Sequence, residues 1–229
     1  AYKNALVIKP NYAEANNNMG VLLRERGDLE EAIKIYKKAL VIKPDYAEAY
    51  YNIGNAMQDQ GKLEDAIENY NQSLAIQPNY AEASNNLGIS YKEQGKLKQA
   101  IDAYKKALKS KPQYAEPYNN MGNALRELGN LEEAIKNYNQ ALAIQPNYAE
   151  AFNNLGISYK EQGKLKQATE SYNNALALKP DYTDAHRNLS NIKTYTATDD
   201  HFVQVQNLYK DKNLSEIDRC NLSFVLCIS

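Results

Sequence analysis

Apolar and polar residues recur along this chain with the spacing of α-helical faces, in pairs of short stretches that repeat every 34 residues. In the second complete pair, the residues on one side of the first stretch are Tyr50, Ile53, Gly54 and Met57. Those on one side of the second stretch are Ala66, Ile67, Tyr70, Ser73 and Leu74. The pattern predicts two amphipathic helices, one ending at about Gln60 and one running from about Leu63 to Ile76.

Turn-forming residues punctuate the two predicted helices. Asp45 has the side chain of an N-cap for the first helix, and Gly61 can take the left-handed conformation that ends it. Pro78 pushes the residue before it out of the helical region and so ends the second helix. We expect Tyr70 to fill the space between helix layers where the small residue Gly54 lets two helices approach.

The repeat is marked most clearly by six prolines: Pro10, Pro44, Pro78, Pro112, Pro146 and Pro180. A fixed period of this length indicates one supersecondary unit per repeat, and hence a solenoid. Five complete units are predicted, over residues 13–46, 47–80, 81–114, 115–148 and 149–182. Partial units flank them at 1–12 and 183–195. Residues 1–9 are expected to be the rear half of a helix without its partner, which suggests a piece of a longer protein.

The phased glycine, alanine, tyrosine and proline positions resemble the tetratricopeptide repeat over residues 1 to about 195. This resemblance implies an all-α, right-handed superhelical solenoid of antiparallel helix pairs. It also implies a concave groove, lined by the first helix of each pair, and a role in binding other proteins or peptides.

The repeat pattern weakens after residue 183. One more first helix is predicted to end at about Tyr195, and residues 196–229 are expected to hold a connector and the C-terminal helices. Two such helices are predicted, from about Asp199 to Tyr209 and from about Ser215 onward. Ser215 and Asp218 have the spacing of a capping box that opens the second of them.

Composition and charge exclude several classes of partner. The net charge is −1 with acids and bases interspersed, which gives no basic field for nucleic acid, and no apolar run is long enough for a membrane span. We therefore expect neither a nucleic-acid nor a membrane partner. Both cysteines lie near the C-terminus, and the cysteine-free repeats fit a reducing, cytoplasmic setting. On a helix, Cys220 and Cys227 share a face with Phe224, and that spacing predicts burial.

No catalytic, cofactor or metal chemistry is predicted. His186 and His201 stand apart from any cluster of Cys or His, whereas a metal site needs three or four ligands at suitable spacing. Both are expected to be surface or partly buried histidines. Each glycine is isolated, so there is no glycine-rich phosphate loop. The sequence predicts a binding module that is not an enzyme and carries no cofactor or metal.

The side of the first helices opposite the apolar stripe is the strongest candidate for function. In the unit 47–80 this side holds Glu48, Asn52, Asn55 and Asp59. One of its positions is asparagine in every unit, and these residues form the asparagine column: Asn18, Asn52, Asn86, Asn120, Asn154 and Asn188. An asparagine in an exposed helix interior costs about 0.6 kcal/mol relative to alanine, so a column of them needs a reason.

The asparagine column resembles the asparagine ladder in the tetratricopeptide domain of O-linked N-acetylglucosamine transferases, which grips the backbone of substrate proteins. An amide offers a donor and an acceptor together, which matches one peptide unit of an extended chain. The resemblance implies that the column, with Asn55 and Asn123, binds an extended peptide. Acidic residues at the outer positions, such as Glu48 and Asp59, favour a neutral or basic ligand over a terminal carboxylate.

Three alternatives stay open. One is that the asparagines were simply copied with the repeats, because residues 137–168 repeat 69–100 almost without change. Another is a scaffold that assembles with further copies through its open ends, where Phe224, Val225 and Leu226 are expected to be exposed if unpaired. The third is recruitment of substrate for a transferase, since residues 199–229 loosely resemble the segment that joins tetratricopeptide repeats to a sulfotransferase domain in bacterial proteins.

Overall fold

A computed structural model of the chain describes residues 12–193 and 200–227. Within these two ranges the chain forms helices, turns and short connectors, with no strand. The helices are α1 (Ala13–Glu25), α2 (Leu29–Ile42), α3 (Ala47–Asp59), α4 (Leu63–Ile76), α5 (Ala81–Glu93), α6 (Leu97–Ser110), α7 (Ala115–Glu127), α8 (Leu131–Ile144), α9 (Ala149–Glu161), α10 (Leu165–Leu178), α11 (Thr183–Ser190), α12 (Asp200–Tyr209) and α13 (Glu216–Cys227). The predicted half-helix over residues 1–9 lies outside the described residues.

The chain divides into two compact units, Ala1–Asn120 and Met121–Ser229. In the first unit, α1 pairs with α2, α3 with α4 and α5 with α6, and each later first helix also contacts the second helix of the preceding pair. In the second unit, α9 pairs with α10 and also contacts α8, while α13 contacts α11 and α12. The prediction of an all-α fold built from stacked helix pairs is confirmed.

The turn within the pair of α3 and α4 has the predicted form. The residue Gly61 has a φ of +72°, in the left-handed region that glycine adopts without strain. Its N–H donates to the carbonyl of Gln58 at 2.8 Å. The bounds predicted for the second helix, Leu63 to Ile76, are those observed.

The predicted N-cap of α3 is wrong. The helix begins at Ala47, so its N-cap is Tyr46, whose carbonyl accepts a hydrogen bond from the N–H of Ala49 at 3.1 Å. Asp45 stands one residue too early for its carboxylate to serve this end. No side-chain hydrogen bond caps the start of α3.

Close packing between the two helices of a pair depends on one glycine and one tyrosine. A Cβ added to Gly54 would lie 2.6 Å from Cε1 of Tyr70, which is closer than non-bonded carbon atoms approach each other. The tyrosines that fill the equivalent space are all fully buried: Tyr36, Tyr70, Tyr104, Tyr138 and Tyr172. The predicted interlayer role of Tyr70 is confirmed.

The C-terminal helices largely follow the prediction. Two helices are present as expected, and the N–H of Asp218 donates to Oγ of Ser215 at 3.1 Å, as in a capping box. The preceding helix, α11, ends at Ser190 rather than near Tyr195. It stops because the chain turns there, with the N–H of Ile192 bonded to the carbonyl of Leu189 at 3.1 Å.

The predicted buried face of α13 is wrong. Cys220 and Cys227 are exposed, and Phe224 is 41% exposed. The buried residues of α13 are instead Asn221, Leu222 and Val225, because this side of the helix packs against α11 and α12. Val225 was expected to be exposed only if this segment is unpaired, and the contacts with α11 and α12 instead bury it.

Candidate functional site

The members of the asparagine column differ in exposure. Asn18, Asn86, Asn120 and Asn188 are half-buried. Asn52 and Asn154 are only 7% and 9% exposed, so the expectation that the whole column is exposed is wrong at these two positions.

The column is tied to a second set of asparagines that directly precede column members in the chain. Asn52 donates from Nδ2 to Oδ1 of Asn17 at 2.9 Å, and Asn120 donates to Oδ1 of Asn85 at 3.2 Å. In the second unit, Asn188 donates to Oδ1 of Asn153 at 3.0 Å. We name this second set the inner column: Asn17, Asn85, Asn119 and Asn153, which are at most 4% exposed.

The inner column also contacts a carboxylate of the following repeat. Asn17 donates from Nδ2 to Oε1 of Glu48 at 3.0 Å, and Asn85 donates to Oε1 of Glu116 at the same distance. Each of these inner asparagines therefore accepts from an amide and donates to a carboxylate of the next repeat. A hydrogen bond to a charged group is stronger than a neutral one, so these two bonds help to fix the register between adjacent repeats.

Asn86 has a different partner because Tyr51 stands where its inner asparagine would be. Its Nδ2 donates to Oδ1 of Asn55 at 2.8 Å and to the hydroxyl of Tyr51 at 3.3 Å. The same Oδ1 of Asn55 accepts from the hydroxyl of Tyr70 at 2.8 Å, and that hydroxyl also lies 2.8 Å from Oε1 of Gln58. Asn55 is 6% exposed, so its oxygen belongs to the protein interior. In the second unit, Asn123 likewise accepts from the hydroxyl of Tyr138, at 2.8 Å.

These bonds leave defined groups available on the column. Asn52, Asn120 and Asn188 each use one N–H of the amide, and their Oδ1 atoms accept no hydrogen bond within the described residues. An asparagine amide has two N–H donors and an oxygen acceptor. Each of the three therefore keeps one donor and one acceptor in an orientation that the bonded N–H fixes.

Two arginines beside the column are paired with acids of the next repeat. The guanidinium of Arg24 bonds both carboxylate oxygens of Asp59, at 2.6 and 3.2 Å. Arg126 bonds Oε1 of Glu161 at 3.0 Å. Because these cations are already neutralised, they do not form a set that would hold a terminal carboxylate.

The histidines are not surface residues, so that prediction is wrong. His186 is fully buried and His201 is 8% exposed. The rings stack with centroids 4.8 Å apart, and Nδ1 of His186 lies 2.7 Å from Nε2 of His201. They are buried because His186 lies on the packed side of α11. Among the described residues no group of three His, Cys, Asp or Glu side chains is placed to hold a metal ion.

Sequence reasoning found the asparagine column but not its partners. The inner asparagines also recur in the 34-residue phase, which is a signal that was present in the chain. Tyr51 and Arg187 interrupt that phase and obscure it. The hydrogen bonds between repeats give the column a structural role in addition to any ligand.

Comparison with known proteins identifies the repeats. The family described as the Cilia and flagella-associated protein 70 C-terminal domain matches residues 7–201. No curated protein matches the chain. Among the helices within residues 12–193 and 200–227, none has the length and apolar character of a transmembrane span.

Solved structures with the same fold are tetratricopeptide-repeat (TPR) proteins. YrrB, described as a TPR protein with an unusual peptide-binding site, is 25% identical, with a TM-score of 0.65 over 81% of this chain and 95% of YrrB. A MamA structure is 28% identical, with a TM-score of 0.65 over 70% of this chain and 94% of MamA. A thermophilic TPR protein of Thermus thermophilus is 25% identical, with a TM-score of 0.62 over 79% of this chain and 98% of that protein. The resemblance to the tetratricopeptide repeat is confirmed.

Proposed function

The chain belongs to the Cilia and flagella-associated protein 70 C-terminal domain family, and on that premise we propose that it is a non-catalytic module that binds an extended peptide or protein segment. The ligand lies along the asparagine column, in the groove that the first helices line. Asn18, Asn52, Asn86, Asn120, Asn154 and Asn188 contact its backbone, and Asn55 and Asn123 lie beside them.

The observation that carries this proposal is the fixed orientation of the column amides. In Asn52, Asn120 and Asn188 one N–H is bonded to an inner asparagine, while Oδ1 and the second N–H have no partner within the described residues. A donor and an acceptor on one rigid amide complement the carbonyl and N–H of a peptide unit. Because the amide is already held in place, less side-chain entropy is lost when the ligand binds.

The energy available fits weak, sequence-tolerant recognition. Each net hydrogen bond contributes about 0.5–1.5 kcal/mol, and a micromolar complex needs about 8 kcal/mol in total. Packed helices lie about 8–10 Å apart, so successive column members are on the order of 10 Å apart. At about 3.3 Å per residue, one column member meets every third residue of an extended ligand.

Charge favours a neutral or basic ligand. Arg24 and Arg126 are paired with acids, so they offer no free cation for a carboxylate. YrrB, at 25% identity, is described as a TPR protein with a peptide-binding site, and this likeness supports a peptide ligand. We place the protein in the cytoplasm, with neither nucleic acid nor membrane as partner.

The test compares two double variants of the whole chain. Peptides are first selected from a phage-displayed library of random 20-residue peptides, and their dissociation constants are measured by fluorescence anisotropy. Asn52→Ala/Asn120→Ala is expected to weaken binding by tenfold or more. The control Asn71→Ala/Asn139→Ala makes the same change on exposed positions of α4 and α8, and it should bind like the wild type. Equal affinity of both variants, with unchanged helical circular dichroism, would exclude the column as the peptide-binding site.

A self-assembling scaffold is the second candidate, and one observation favours it. On α13, Ile217 is 75% exposed and Phe224 is 41% exposed, with Cys220 and Cys227 exposed on the same side. An apolar stripe of this kind favours association through the C-terminal end. Recruitment of substrate for a transferase would use the same column and is tested by the same variants.

A further inference from the structure

On the side of the first helices that carries the asparagine column, a second position holds different types of side chain in successive repeats. Three residues after each column asparagine, the side chain is in turn aliphatic and amide. We name this set the alternating row: Val21, Asn55, Ile89, Asn123, Ile157 and Asn191. The column itself repeats every 34 residues, whereas the alternating row repeats every two units.

The alternation is built into the packing beneath it. Asn55 accepts from the buried hydroxyl of Tyr70, and Asn123 accepts from that of Tyr138, both at 2.8 Å. Where the row is aliphatic, at Val21 and Ile157, the tyrosine of the same repeat has no such amide to bond.

The row amides therefore present their nitrogens outward. Because Oδ1 of Asn55 and of Asn123 is held by a tyrosine hydroxyl, Nδ2 points to the other side of the amide. Neither Nδ2 donates a hydrogen bond within the described residues, and neither is among the buried unpaired atoms. Each is thus a fixed donor that a ligand can reach. The aliphatic members Val21 and Ile89 are half-buried and offer a partly exposed apolar surface instead.

We propose that this row sets a two-repeat side-chain preference in the peptide ligand, an inference that rests on the proposed function. The ligand class is an extended peptide with aliphatic or aromatic residues at the aliphatic members of the row. Midway between Val21 and Ile89 it carries a residue whose side chain accepts a hydrogen bond, such as Gln, Asn or Ser, opposite Asn55. Two repeats span about 20 Å, so the apolar residues are about six positions apart.

The preference follows from the cost of a mismatch. An apolar side chain beside Ile89 removes apolar surface from water, which favours binding. The same side chain over Nδ2 of Asn55 would cover a donor without replacing its bond to water, which disfavours binding. The row therefore favours a peptide whose apolar side chains lie beside the aliphatic members. It also disfavours the same peptide shifted by one repeat, which would place those side chains over the amides.

The experiment is a selection from the phage-displayed library of random 20-residue peptides on the whole chain. Wild-type protein is expected to enrich Leu, Ile, Val or Phe at pairs of positions six apart at least threefold over pairs four, five, seven or eight apart. The variant Ile89→Asn removes one of the two aliphatic row members of the first unit, Val21 and Ile89, and it should abolish this enrichment. Since asparagine already stands at the equivalent positions Asn55 and Asn123, the fold is expected to accept the change. The control Lys105→Asn, at an exposed position of α6, should keep the enrichment.

The outcomes separate this inference from the proposed function. If peptides are selected, lose affinity in Asn52→Ala/Asn120→Ala and show no six-residue spacing, the alternating row does not set specificity while the column still binds. If the six-residue spacing of apolar residues is present and persists in Ile89→Asn, the row is likewise excluded as the source of specificity. If no peptide is enriched over an unrelated helical protein, both the column and the row fail as binding sites.

Discussion

The hydroxyl of Tyr70 donates a 2.8 Å hydrogen bond to Oδ1 of Asn55, and two repeats later the same bond joins Tyr138 to Asn123. Tyr172 occupies the equivalent place beneath Ile157, and its buried hydroxyl has no hydrogen-bond partner within the described residues. Repeats whose helices have the same lengths thus differ in whether a buried tyrosine hydroxyl has a hydrogen-bond partner. Removing the hydroxyl in each of the two repeats therefore shows what the hydrogen bond contributes to stability.

We expect Tyr70→Phe to lower the free energy of unfolding by about 0.5–1.5 kcal/mol, since it removes the hydroxyl that bonds Asn55 and lies equally close to Gln58. Tyr172→Phe should leave that free energy unchanged or raise it, because the hydroxyl it removes is buried and unpaired. Urea unfolding followed by circular dichroism measures both. Equal losses in the two variants would show that the Tyr70 bond contributes nothing specific.

Gly54→Ala should destabilise the protein by about 1–3 kcal/mol through overpacking. The added Cβ would lie 2.6 Å from Cε1 of Tyr70, so the ring or the helix has to move. Gly61→Ala has open space around its new Cβ, and its cost of about 1 kcal/mol comes only from the left-handed backbone, with φ of +72°. The double variant Gly54→Ala/Tyr70→Ala separates the two causes: the alanine at 54 should cost less there than it does alone.

Truncation of a central tyrosine tests the packing between layers. Tyr104 is fully buried, so Tyr104→Ala should lower the free energy of unfolding by about 3–5 kcal/mol. Because TPR units contact only their neighbours, hydrogen exchange should rise first in the helices next to α6. A loss below about 1 kcal/mol would contradict the buried role of this ring.

The histidine pair predicts a loss of stability in mild acid. Nε2 of His186 faces the carbonyl of Pro180 at 2.9 Å, which only accepts, so the other ring nitrogen of His186 accepts from Nε2–H of His201. Burial lowers the pKa of His186, while the bond to Pro180 and the charge of Asp181 oppose that shift in part. A pKa lowered by folding means that the unfolded chain binds the proton first. The stabilising contribution is therefore complete above the unfolded pKa of about 6.5 and declines as pH falls below it, by at most about 1.4 kcal/mol per pH unit.

The measurement is urea unfolding at pH 7.5 and pH 5.5 for the wild type and for His186→Asn. Asparagine is the natural residue at the equivalent position in the first complete repeat, Asn16, so the change suits a first helix. The variant should lose less stability than the wild type between the two pH values. An identical loss would assign the pH dependence to other groups.

The exposed side of α13 predicts weak self-association. Ile217 and Phe224 are the exposed apolar side chains of that stripe. Sedimentation velocity of the wild type should show a sedimentation coefficient that rises with concentration, and Ile217→Glu/Phe224→Glu should remove the rise. A wild type that stays monomeric at high concentration would contradict the scaffold alternative.

Helix positions could be predicted from the sequence because one signal repeats many times. The apolar stripe and the turn glycine recur in each 34-residue unit, so the bounds of α4 were predicted to the residue. The pattern fails where the period changes. On α12 the buried His201 and Val205 lie 33 residues after the buried Ala168 and Tyr172 of α10, and this missing residue hides the correspondence.

The partners of side chains on the candidate site could not be predicted in the same way. Whether the Nδ2 of Asn52 faces solvent or Asn17 depends on how adjacent repeats stack, which spacing within one helix does not determine. The buried face of α13 was misassigned for a similar reason. Both Cys220 and Asn221 fit a helical stripe, and only the contacts with α11 and α12 select the stripe that includes Asn221.

Side-chain amide NMR of the ¹⁵N-labelled whole chain, titrated with a library-selected peptide, shows directly whether the asparagine column holds the ligand. We expect the Nδ2–H signals of Asn52, Asn120 and Asn188 to shift on binding, because their free N–H and Oδ1 meet the peptide backbone. The signals of Asn71 and Asn139, on exposed positions of second helices, should stay in place. A peptide that binds while the three column signals do not move, or that shifts Asn71 and Asn139 instead, would contradict the claim that the column holds the ligand.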